Sequence, residues 1–343
     1  MIEDDDPAGD WTAAGVYRCA PEVYRIPLPL PNDGLRAVNV YALPDADGFT
    51  LVDSGWALTE SRELLVDALA ELGAGLGDVR RFLVTHLHRD HYTQAIVLRR
   101  EFGARVSLGR GERLGLDDVH AEGRDQFAVH RERLLRAGAE SLADAISANR
   151  PDPGDISLWG YPDEWIDDGA EIEVGAERLL TAVETPGHTR GHLVFADDAA
   201  GLLFAGDHVL PRITPSIGFE PVPPPSPLGD FLTSLQLVRS RKDAALLPAH
   251  GPVGMRVHER VDALLDHHGV RLDATLTAVR EGRSTAHAVA LALSWTRREL
   301  RLPDMDPFNA MLAVLETAAH LDVLVERSAV TTTSIDGVAH YTT

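Results

Sequence analysis

The chain has 343 residues, a formal net charge of −21, 44% hydrophobic and 25% charged residues, and one cysteine, Cys19. That length suits one large domain plus a small one, and the composition is that of an ordinary soluble globular protein. A field of that sign repels phosphate backbones and disfavours general nucleic-acid binding, and a lone cysteine excludes an intrachain disulfide. No apolar run reads as long enough to span a bilayer. The N-terminal Met1-Ile2-Glu3-Asp4-Asp5-Asp6 lacks the basic and apolar regions of a signal peptide. A cytoplasmic protein with no membrane partner is the expectation.

Residues 1–15 read as a disordered acidic tail. Residues 16–30 and 37–43 have strand character, and 48–52 lead as a further strand into Asp53-Ser54-Gly55. Leu64, Leu65, Ala68, Leu69 and Leu72 recur at helical spacing, which predicts an amphipathic helix over 59–72 lying against a sheet. The apolar run Phe82-Leu83-Val84 then opens onto Thr85-His86-Leu87-His88-Arg89-Asp90-His91. His86 and His88 alternate along an extended chain and share one side. Asp90 and His91 follow on a tightening loop, placed to serve a second ion. Imidazole and carboxylate are what borderline divalent metals take as ligands, so the stretch reads as a metal motif at a strand end. A helix over about 93–102 follows.

Residues 109–150 interrupt the sheet with a mostly helical insertion, of the length that often builds a lid or a subunit contact. Its His120 and His130 read as solvated surface histidines. Pro151-Asp152-Pro153-Gly154-Asp155 reads as a turn-rich linker. Strand character returns over 171–174 and 179–184, before Thr185-Pro186-Gly187-His188-Thr189. His192 reads as a structural hydrogen-bonding residue. Leu202-Leu203-Phe204-Ala205-Gly206-Asp207 places an aspartate after an apolar strand, and Leu246-Leu247-Pro248-Ala249-His250 places a histidine on a turn. Between them, residues 212–229 are proline-rich and read as part of a substrate wall, with His208 and Arg212 as candidate substrate contacts. From 257 onward the pattern is helical, over 257–280, 285–295 and 307–325, and ends in a hairpin within 324–341. Residues 256–343 hold 9 Arg against 12 Asp plus Glu, so no basic recognition face stands out and a packing or dimerisation role is expected.

On these motifs the sequence resembles the metallo-β-lactamase superfamily, over roughly residues 20–256. The resemblance implies an α/β fold, the αββα metallo-β-lactamase sandwich, as residues 16–256. A small, mainly helical winged-helix-like C-terminal domain over 257–343 resembles the appendage of the branch that includes β-lactamase-like protein 2. It implies two ions per chain, zinc expected and iron or manganese as alternatives. His86, His88 and His188 would hold the first, Asp90, His91 and His250 the second, and Asp207 would bridge them. Asp53 would orient a ligand or the motif loop.

The reaction so implied is hydrolysis of an ester, thioester or lactone by a hydroxide held between the ions, with Asp90 passing a proton. A small-molecule or acyl-carrier-linked substrate is the expected partner. A metal-dependent ribonuclease and a glyoxalase II-type thioester hydrolase are the alternatives, and the charge balance argues against the first. Tyr92 is a candidate oxyanion donor by position, with core packing as its other reading. Tyr92-Thr93-Gln94 stands where many relatives carry small glycine-rich residues, which narrows the inferred pocket.

Overall fold

The computed structural model describes all residues except 1, 5–8, 32–33, 126, 149–153, 177 and 297–298. The first half contains β1 (Ile2–Glu3), β2 (Tyr17–Ala20), β3 (Val23–Pro29), β4 (Ala37–Asp45), β5 (Gly48–Val52), α1 (Thr59–Glu71), β6 (Val79–Val84), α2 (Arg89–Phe102) and β7 (Arg105–Gly109). The insertion holds α3 (Arg113–Val119), α4 (Ala128–Arg136) and α5 (Glu140–Ala148), before β8 (Glu164–Ile166). Next come β9 (Glu171–Val174), β10 (Arg178–Glu184), β11 (Leu193–Asp197), β12 (Leu202–Gly206), α6 (Pro227–Ser240) and β13 (Ala245–Pro248). The chain ends with α7 (Val257–Arg280), α8 (Ala286–Ala292), α9 (Pro307–Glu326) and the hairpin β14 (Thr331–Ile335) and β15 (Val338–Thr342).

The strands form one eight-stranded sheet ordered β1 to β8, one five-stranded sheet ordered β13-β12-β11-β10-β9, and the terminal hairpin. β2 to β5 pair antiparallel, and β5 to β8 pair parallel, as helical crossovers require. The first seven residues of β4 are all buried, the continuous pattern of a strand covered on both faces. Leu43, Val52 and Leu83 of the first sheet meet Leu180, Phe195 and Phe204 of the second in an inter-sheet core. Leu65, Leu69, Ile96 and Leu98 of α1 and α2 cover the outer face of the first sheet. Val183, Val194 and Leu203 of the second sheet pack with Phe231 of α6, Val261 of α7 and Met311 of α9. Helix, sheet, sheet and helix are thus stacked as an α/β sandwich.

Several expectations change. The acidic tail is tied down where it is described: Ile2 and Glu3 pair with Tyr17 and Arg18, and Asp4 sits 2.5 Å from the buried Arg25. Residues 5–8 of that tail lie outside the described residues. The region read as one strand over 16–30 is two, broken at Glu22, whose φ is 55°. α2 begins at Arg89, so Asp90 and His91 lie in a first helical turn, not on a loop. Pro227, grouped with the irregular loop, occupies the first turn of α6, where a missing N–H costs nothing.

The insertion and the C-terminal helices share one core. Leu134, Ala137, Ala143 and Ile146 belong to the same cluster as Leu203, Met311, Leu315 and Leu324. His130 is accordingly buried, not a surface residue, and its Nε2 pairs with the Phe219 carbonyl at 2.6 Å. His120 is exposed, paired with the Trp159 carbonyl and stacked on Tyr161. α9 is, contrary to the sequence reading, apolar and long enough to cross a bilayer; its apolar residues are spent on this shared core. Of the linker read over 151–155, residues 151–153 lie outside the described residues.

Candidate metal centre

All seven predicted site residues come from the same ends of their strands and meet at one edge of the sandwich. β6 carries the chain into His86 in extended form, and His88 caps α2 with φ −111° and ψ 154°. Asp90 then falls in the first turn of α2, where the helix dipole favours a carboxylate. The second sheet delivers His188 after β10, Asp207 after β12 and His250 after β13.

The donor atoms fall into two sets. His86, His88, His188 and Asp207 bring one atom each within 4.8 Å of one another, and Asp90, His91 and His250 do the same. His188 Nε2 lies 3.1 Å from His88 Nδ1 and 3.4 Å from Asp207 Oδ2. Asp207 Oδ1 lies 3.3 Å from His250 Nε2 and 3.7 Å from His91 Nε2. Asp90 Oδ2 lies 3.4 and 3.5 Å from those same two nitrogens. One carboxylate therefore turns one oxygen to each set.

The other ring nitrogens are engaged, which fixes tautomers. His250 Nδ1 donates to the Ala37 carbonyl at 2.7 Å and His188 Nδ1 to the Ser216 carbonyl at 2.8 Å. His91 Nδ1 meets Asp53 Oδ2 at 2.9 Å, and His86 Nδ1 meets Thr85 Oγ1 at 3.0 Å. The opposite nitrogens of His86, His91 and His250, with Asp207 Oδ1, are buried and have no hydrogen-bond partner. Buried orphans aimed at one another are costly unless something between them satisfies them all. Imidazole lone pairs with outer nitrogens donating to carbonyls or carboxylates are what a borderline divalent ion requires. The residues fit that group.

Charge completes the picture. Burial, then the neighbouring imidazoles, drives the His86 pKa well below the ordinary value, and burial with His188 takes His88 to about 3. His91 is raised to about 10: burial opposes protonation, but Asp53, Asp90 and Asp207 outweigh it. Burial pushes Asp207 up, but His250, His91 and His188 hold it below the usual carboxylate range.

Asp53 has the role expected of it. Its carboxylate accepts from the Thr85 N–H at 2.8 Å, from the Thr85 hydroxyl and from His91. His192 is likewise structural: its Nε2 accepts from the Asp207 N–H at 3.1 Å, so Nδ1 keeps its proton and donates to Thr185 Oγ1. Tyr92 packs in the core and its hydroxyl donates to the Gly160 carbonyl, which removes it as an oxyanion donor. His208 is also withdrawn from any substrate, fully buried edge-to-face with Phe231 at 5.1 Å. Arg212 is exposed on the proline-rich segment.

Sequence reasoning missed the groups that steady these turns. Asn39 Nδ2 donates at 2.9 Å to both the Pro248 and Gly251 carbonyls, bracketing His250, and its oxygen accepts from Arg25. A polar residue inside the apolar run 37–43 was the available signal. Thr189 donates to Glu112, and the Arg190 N–H to Glu220 at 3.0 Å, so two buried acids grip the residues after His188. The insertion reaches the same place, with His130 and Arg133 pairing with the Phe219 and Gly218 carbonyls.

The metallo-beta-lactamase superfamily model matches residues 33–250. A beta-lactamase-like protein 2 homolog of Caenorhabditis elegans is 26% identical over 72% of this chain and 67% of its own. The probable metallo-hydrolase YqjP of Bacillus subtilis is 24% identical over 90% and 92%. The atrochrysone carboxyl ACP thioesterase of Aspergillus fumigatus is 24% identical over 78% of this chain, which spans about half, 49%, of that protein. Among solved structures, a beta-lactamase domain protein of Burkholderia ambifaria superposes with a TM-score of 0.82 at 26% identity, covering 98% of this chain and 96% of its own. A metallo-beta-lactamase family protein of Thermus thermophilus gives 0.75 at 29% identity, covering 94% and 99%. The matched segment contains every member of the cluster from His86 to His250, and the chain belongs to the metallo-beta-lactamase superfamily.

Proposed function

We propose that the chain is a binuclear metal-dependent hydrolase that cleaves an ester, thioester or lactone, with a thioester on an acyl carrier as the first substrate to try. The observation that carries this reading is the division of Asp207, one oxygen toward His188 and the other toward His91 and His250. His86, His88 and His188 would hold one ion, Asp90, His91 and His250 a second, and Asp207 would serve both. Bound there, divalent ions such as zinc would supply Lewis acidity, making a water nucleophilic near neutral pH and polarising a carbonyl. The protein's share is to hold the donors in place and to move a proton.

Asp90 is the group assigned to that proton. Asp90 and His88 are the two members of the cluster that solvent reaches, the other five being buried, so an entering substrate meets them first. Burial pushes the Asp90 carboxyl up, but the imidazoles of His91 and His250 hold it below its usual range, so it is ionised. The resemblance to a fungal acyl-carrier thioesterase supports a thioester as substrate, and the net charge of −21 weighs against RNA.

The test is elemental analysis of the purified chain followed by a panel of p-nitrophenyl ester, acyl-pantetheine thioester, lactone and RNA, with and without chelator. The reading expects two divalent ions per chain and turnover of an acyl substrate that chelation abolishes and zinc restores. Cleavage of RNA alone, or metal content near zero after expression in replete medium, would overturn it.

A further inference from the structure

A second group of donors lies in the C-terminal helices, outside the seven residues above. His267 and His268 on α7 and Glu316 on α9 each bring a donor atom within 4.8 Å of one another. His268 is fully buried, Glu316 is half-buried and His267 is exposed, so the group opens to solvent on one side. The proton positions follow from bonding. His320 Nδ1 donates to the Glu316 carbonyl at 2.8 Å, which leaves His320 Nε2 as an acceptor, and His268 Nδ1 donates to it at 3.2 Å. His268 therefore keeps a bare Nε2, buried and without a partner. His250 is held in a similar way, with Nδ1 donating, there to a carbonyl, and Nε2 buried and without a partner.

We propose that His267, His268 and Glu316 form a site for one further divalent transition-metal ion, which ties α7 to α9.

Two imidazoles and a carboxylate suit zinc and its neighbours in preference to calcium or magnesium, which take oxygen donors. The imidazoles are in the form that binds: burial, then His320, lowers His268 to about 2, and burial, then Arg271 and Arg260, lowers His267 below its ordinary value. Burial raises the Glu316 pKa, opposed by Arg271, so its charge is incompletely compensated. Arg271 is the competing cation. Its guanidinium donates to the Ser294 carbonyl at 3.0 Å and lies 4.3 Å over the Trp295 ring, held by groups other than the donor set. That positive charge nearby weakens an incoming dication, so this site should fill after the carboxylate-rich centre. The ion would also sit behind a ligand turn: Phe231 packs edge-to-face on His268 at 5.5 Å, and a Cβ on Gly187, next to His188, would lie 2.4 Å from the Phe231 Cβ.

The experiment is a zinc titration of the metal-stripped 343-residue chain, beside His267→Ala and Glu316→Gln, with bound zinc counted after gel filtration and Tm recorded at each step. His267 is exposed and Glu316→Gln keeps the side chain's shape, so both variants should fold. The wild type is expected to retain one zinc ion more than either variant, taken up last, with a rise in Tm at that step that the variants lack. Because the readout is a difference between chains with the same active centre, it stands apart from how many ions that centre holds. Equal zinc content and equal thermal response in all three chains would overturn the proposal.

Discussion

Asp53 Oδ2 lies 2.9 Å from His91 Nδ1, and the neighbouring Oδ1 takes the Thr85 N–H at 2.8 Å. One carboxylate at the end of β5 thus sets both the ring of a donor in α2 and the backbone that carries His86. Asp53 itself adopts φ 60°, a conformation that Asp tolerates better than most residues. Asp53→Ala should leave His91 able to rotate and lower affinity for the ion nearest it by about 10- to 100-fold, the usual cost of losing such a partner. A competitive chelator titration of the two proteins checks it.

Asn39 does for His250 what Asp53 does for His91, but through the backbone. Asn39→Ala removes the donors to the Pro248 and Gly251 carbonyls and the acceptor for the buried Arg25. The loss should cost about 1–3 kcal/mol of stability, because buried groups are left unpaired. Denaturant unfolding of the metal-stripped chain reads this without interference from bound ions.

Glu112 and Glu220 predict a pH dependence. Burial raises Glu112 to about 7, and burial together with Glu112 raises Glu220 to about 8, from an ordinary value of 4.5. Between pH 4.5 and 8 the folded chain therefore holds protons that the unfolded chain has lost. Folding is favoured at the acid end of that window and loses stability as pH rises through it. Glu220→Gln removes the charge and should flatten the slope. The variant's Tm should exceed the wild type's by a few degrees at about pH 8.5 and match it at about pH 5; a constant difference across that range would contradict the assignment.

The turn after His188 crosses the start of the insertion glycine against glycine. A Cβ on Gly191 would lie 2.1 Å from the Glu112 nitrogen, a backbone atom that cannot swing aside. Gly191→Ala should therefore force the two segments apart, lowering both Tm and metal content, whereas Gly269→Ala, with open space around its Cβ, should change neither.

The sequence made the donor set legible because HxHxDH and the three later turns are local patterns, each at the end of an apolar strand. The layer order was legible for the same reason, since period and composition mark strands and helices one at a time. What it hid depends on chain segments far apart in sequence. His130 and His208 look like any polar loop histidine until α4 packs on Phe219 and α6 sets Phe231 against His208. The 1–15 segment has the composition of a solvated tail, and nothing local says that Asp4 will neutralise a buried Arg25. The insertion and C-terminal helices read as separate pieces because each has its own apolar stripe, and only their packing shows that the stripes face one core.

The proposed sharing of Asp207 between two ions is open to test by Asp207→Asn. The amide keeps the shape but removes the charge that faces His188 on one side and His91 and His250 on the other. The measurement is bound metal per chain for wild type, Asp207→Asn and His120→Ala, with turnover of whichever panel substrate is accepted. His120 is exposed and stacked on Tyr161, away from the donor set, and serves as the control. Wild type and control are expected to hold about two ions, while Asp207→Asn loses metal, most of all the ion at His91 and His250, and its turnover falls by at least about a hundredfold. Two ions and full activity in Asp207→Asn would contradict the proposed sharing.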